Sequence, residues 1–245
     1  MKPRSVLLAF FVIGVAVAGG VRTRSHSNNE QKLLAELQNS KDRGSLNWHV
    51  QVAKVKGQGQ VTLPGPNVEY VTDVHSLDEV LLQYGVVVAQ PISHLGYVHD
   101  ANLLATWYRF KILENITGRP LPKCTFCSPE GESLPQELSS LGEDEIAVPV
   151  FGGTAVIEGV RVTMANRDFP PFDPSKKYLL FLSTGQSGKV GFLSMGPVAI
   201  LTIDSEGRLE PASLESHPIL SEIAFRCSNS LETFRTFVQS RSTQR

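Results

Sequence analysis

The sequence predicts a mainly β, α+β fold: an antiparallel barrel or half-barrel with N-terminal and C-terminal helices. Three observations carry this. Fifteen prolines and twenty glycines in 245 residues favour a turn-rich architecture over a helical bundle. Between about Val68 and Ala212, short apolar runs of strand length are separated by turn signals. On both sides of that block the apolar spacing changes to a helical period.

The first residues, Met1-Lys2-Pro3-Arg4, precede an apolar run from Val6 to Ala18 that ends in Ala16-Val17-Ala18. A charged start, a run shorter than the ~20 residues of a spanning helix and small residues at its end read as a secretory signal over residues 1–18. The expected mature start is Gly19, and the expected location is extracytoplasmic, secreted or periplasmic. The alternative is an uncleaved anchor flanked by Arg22 and Arg24, which would make the chain a membrane-anchored envelope protein. Losing residues 1–18 removes Lys2 and Arg4 and moves the formal charge from −1 to −3. A slightly acidic chain without a basic cluster offers no footprint for nucleic acid.

Residues 19–67 read as an N-terminal helix, a strand and a linker. Ser27 and Glu30 have capping-box spacing, and Leu33, Leu34 and Leu37 continue at helical spacing to about Gln38. Trp48, Val50 and Val52 alternate with His49, Gln51 and Ala53, which predicts a strand. The Gly- and Pro-rich stretch from Gly57 to Asn67 predicts a linker.

The main domain is expected over residues 68–212. Ser76 and Glu79 form a second capping box ahead of a short helix. Val86-Val87-Val88-Ala89 reads as a strand buried on both faces. From Thr106 to Ile116 a strand points Tyr108, Phe110 and Ile112 one way and Arg109 and Lys111 the other. Pro149 lacks a donor, so the strand over Ile146, Val148 and Val150 belongs at an edge or carries a bulge, and Gly152-Gly153 ends it. Glu158-Gly159 is a hairpin signal, Lys177–Leu182 a buried strand, and Val198–Ile203 another, closed by Asp204–Gly207. Residues 213–245 return to helix, with Pro218 at a first helical position and Leu220, Ile223, Ala224 and Cys227 on one stripe. Leu231, Phe234, Phe237 and Val238 make a second stripe.

The order of Tyr84–Ala89, Thr106–Gly118, Gly152-Gly153 and Asp173–Leu182 resembles exported bacterial proteins of unassigned role. More distantly it is similar to the netrin-like module of tissue inhibitors of metalloproteinases. The resemblance covers roughly residues 76–210 and implies an OB-like barrel. Inhibition does not carry over, because those inhibitors act through an amino-terminal cysteine and the first cysteine here is Cys124.

Cys124-Thr-Phe-Cys127 could form a loop disulfide, half of a metal site or a redox pair. A redox pair would make the protein a thiol-disulfide oxidoreductase. Its setting in a Pro-rich segment between strands favours the plain disulfide, and Cys227 reads as a buried small hydrophobe. Thr184-Gly-Gln-Ser-Gly-Lys189 departs from phosphate-loop spacing and reads as a hairpin turn. Glu143-Asp144-Glu145 reads as a solvated face, and Asn115-Ile-Thr117 fits a glycosylation acceptor only in a eukaryotic route. No residues assemble a nucleophile, base and orienter, and no cofactor or metal is implied. The expected function is therefore an exported, non-enzymatic binding module for a protein or small polar ligand. Its expected surface is a loop from His94 to Asp100, with His94, Tyr97 and His99, beside the turn that carries Lys189.

Overall fold

The computed structural model describes residues 29–65, 74–119, 141–166, 169, 171–184, 191–193, 195–213 and 217–242. Cys124, Cys127, Lys189 and the signal segment lie outside them. The chain divides into two compact units, Met1–Thr62 with Val156–Val162, and Leu63–Ala155 with Thr163–Arg245.

The first unit contains helix α1 over residues 29–38 and α2 over Leu46–Val55. The strand expected over Trp48–Ala53 is thus a helix. Leu46, Val50 and Ala53 are its buried residues, spaced four and three apart, and the Ser45 hydroxyl accepts from the Trp48 N–H at 3.1 Å as an N-cap. The apparent two-residue alternation lost to this helical stripe and cap. The Trp48 indole donates to the Leu37 carbonyl at 2.8 Å, tying α2 to α1. At the other side of the unit the Glu158 carboxylate receives Lys54 at 2.7 Å and Gln51 at 3.0 Å. Those bonds hold its pKa below the usual carboxylate range. Glu158 and Gly159 both have positive φ, as a tight two-residue hairpin turn requires.

The strands are β1 (Gln60–Leu63), β2 (Gly85–Asp100), β3 (Leu103–Asn115), β4 (Glu145–Phe151), β5 (Gly153–Ile157), β6 (Val160–Met164), β7 (Lys177–Thr184), β8 (Gly191–Phe192), β9 (Ile200–Ile203) and β10 (Leu209–Pro211). One sheet has the order β1-β6-β5. The larger has the order β10-β9-β7-β2-β3-β4, with β8 paired to β7. Its pairings are antiparallel, so the protein is mainly β. Pro149 sits in β4, the last strand of that path. Helix α3 (Leu77–Gln83) opens with the expected cap, the Glu79 N–H donating to Ser76 Oγ at 3.2 Å.

The centre of the sheet is buried on both faces. Val87 pairs with Leu180 and Val86 with Phe181, and all four are inaccessible to solvent. On one face Phe181 meets Phe234 of α5 (Leu231–Ser242), edge to face at 6.2 Å, and Arg235 pairs with Glu114. Helix α4 (Pro218–Cys227) buries Ile219, Ile223 and Cys227. Its stripe therefore runs at four-residue steps through Ile219, and Ala224 is exposed. On the other face Phe110, Leu180 and Leu182 share one core with Tyr108 and Ile112 packed against it. The expected strand over Val198–Ile203 begins instead with a 3-10 turn at Gly196–Ala199, because Gly196 takes a positive φ and Pro197 follows it.

The sheet is curled. β8 pairs with β7 yet also lies against β4. In a flat sheet β4 would stand three strand spacings, about 14 Å, from β7. Among the described residues the curl does not close into a barrel.

Candidate functional site

The segment expected as a loop from His94 to Asp100 is instead the second half of β2, paired with β3 as far as Asp100. Pro91 and Gly96 each have a place in the strand. Pro91 sits at a register shift, where a missing donor is tolerated. Gly96 pairs with Thr106, and a Cβ there would lie 1.9 Å from the Thr154 carbonyl oxygen. Only glycine lets β5 cross β2 at that point.

Strand alternation divides the three candidates. His94 pairs with Tyr108, their rings 5.7 Å apart, and it is exposed. Tyr97, three residues on, belongs to the opposite face. There its ring stacks on Trp107 at 5.9 Å and 24°, and its hydroxyl lies 3.2 Å from His99 Nδ1. His99 meets Phe151 edge to face at 5.6 Å. His94 thus stands apart from the Tyr97–His99 pair, and Lys189 lies outside the described residues.

The face that carries His94 leads to a pocket in the second unit. It has a volume of about 190 Å³ and is walled by Thr106, Tyr108, Phe151, Met164, Asn166 and Phe169. Its construction is local. Gly152 and Gly153, at φ 94° and 117°, turn β4 back into β5. Thr106, only 5% exposed, donates from Oγ1 to the Gly152 carbonyl at 2.8 Å and holds the turn down. The Asn166 amide donates to the Phe151 carbonyl, and its oxygen accepts from the Phe169 N–H at 2.9 Å. One side chain therefore joins the end of β4 to the segment that forms the opposite wall.

Behind the pocket is an aromatic box. The Phe172 ring meets Tyr108, Phe110 and Tyr178 nearly at right angles, with centroids 4.8, 4.9 and 5.0 Å away. Such edge-to-face contacts add to plain burial and fix ring orientation. The Tyr178 hydroxyl accepts from the Asp173 N–H at 2.8 Å and so holds the loop over residues 171–173 by its backbone.

Burial raises the pKa of Tyr108, with Tyr178 adding to the rise and the Phe172 N–H partly offsetting it. Burial likewise raises Tyr178 and Tyr84. In the unfolded chain these phenols ionise near ~10, so the unfolded state loses its protons first. Stability is therefore complete below that pH and is lost as pH rises through the higher folded-state values. The melting temperature should fall above about pH 10, and fall less steeply in Tyr108→Phe. Identical alkaline slopes for the two proteins would show that Tyr108 takes no part.

Neither a family profile, a curated protein nor a solved structure matches this chain. The pocket must be read from its own chemistry.

Among the described residues, no three His, Cys, Asp or Glu side chains gather as metal ligands. Cys227 is the free thiol there, buried, with its pKa pushed up by that burial. No described helix is long and apolar enough to cross a membrane. The sequence reading missed Thr106, Asn166 and Phe172. Gly152-Gly153 was the available signal, since paired glycines mark close backbone approach as well as a strand end.

Proposed function

We propose that the chain is an exported, non-enzymatic binding module on an OB-like half-barrel, and that it holds its ligand in the pocket beside Tyr108. The observation that carries the reading is the chemistry of the pocket wall. Tyr108 is the one titratable side chain among the described lining residues. The other polar side chains are engaged: Thr106 with the Gly152 carbonyl, Asn166 with Phe151 and Phe169, and Thr163 with the Thr154 hydroxyl at 3.0 Å. A wall of this kind suits capture, because general acid–base chemistry wants a group poised near neutral pH and a raised phenol is far from it.

The curl that brings β8 against both β7 and β4 supports the OB-like reading. Pockets at the mouths of such curled sheets are common ligand sites. The charged start and short apolar run of residues 1–18 support export.

The test is to produce the full chain in a Sec-competent host and immobilise the exported product. Intact mass should correspond to a start at Gly19, and retention of Met1 in the membrane pellet would replace export with anchoring. The immobilised protein should retain a defined ligand from extracytoplasmic extract and release it chemically unchanged. A ligand released in altered form would make the protein an enzyme. Equal retention by the His94, Tyr97 and His99 triple alanine variant is expected, since none of the three lines the pocket.

A further inference from the structure

We draw no further inference here: the strongest candidate, the aromatic cluster of Tyr97, His99, Trp107 and Phe151 on β2, β3 and β4 with the buried, unpartnered Trp107 indole N–H at its centre, carries nothing because nothing in the structure shows what covers that face.

Discussion

Replacing Phe110 by alanine should cost about 3–5 kcal/mol. Phe110 is fully buried, and its ring touches Tyr108, Phe172 and Tyr178. The cost has two parts: the lost transfer energy of a phenyl ring, and a void that the β-sheet backbone on one side prevents from collapsing. A loss of that size takes a large share of the stability of an ordinary domain. Chemical denaturation should show a lower midpoint with an unchanged slope, which assigns the change to stability and not to the denatured state. A loss below about 1 kcal/mol would mean that the box repacks around Phe172 and that the ring is not what positions the pocket wall.

The second large effect is expected at Gly153. Its φ of 117° lies in a region that residues with a side chain rarely adopt, and a Cβ there would stand 1.8 Å from Thr106 Oγ1. Gly153→Ala must therefore bear backbone strain and displace a buried hydroxyl that holds the Gly152 carbonyl. Together these should cost about 2–5 kcal/mol. The double variant Gly153→Ala, Thr106→Ala gives the check. Removing the Thr106 hydroxyl relieves the collision, so the second substitution should cost less in the presence of the first than alone. Strict additivity would show that the crossing of β5 over β2 has already opened.

Much of the framework could be read from the residues. Phe110, Leu180 and Leu182 were legible as one core because alternation along a half-buried strand is a strong signal. Ser76 with Glu79 marked the start of α3, and Glu158-Gly159 marked a hairpin, since capping and tight turns depend on local chemistry. Two errors came from competing local signals. Trp48–Val52 alternates like a strand, yet Ser45 and the buried Leu46, Val50 and Ala53 make it a helix. The His94–Asp100 stretch reads as a loop, yet β2 runs on to Asp100, with a register shift at Pro91 and a close crossing at Gly96. The pocket was not legible, because its described walls come from residues 106, 108, 150–153, 163–166, 169 and 171. Only the pairing of β3 with β4 and the reach of Asn166 bring those segments together.

The position of β2 between β3 and β7 has a consequence for the order of events in folding. Val86 pairs with Phe181, which is 95 residues further along the chain. The meander β2-β3-β4 can zip as it is made, but the other side of β2 stays unpaired until β7 exists. Phe181 in turn is covered by Phe234, later still. Closing such long loops before any contact repays them is slow, and sheet topologies of this kind fold in roughly milliseconds to seconds. During that time the Val86–Ala89 run is an apolar edge open to other chains. The pairing of β2 with β7 therefore waits until about three quarters of the chain, as far as Leu182, has been made.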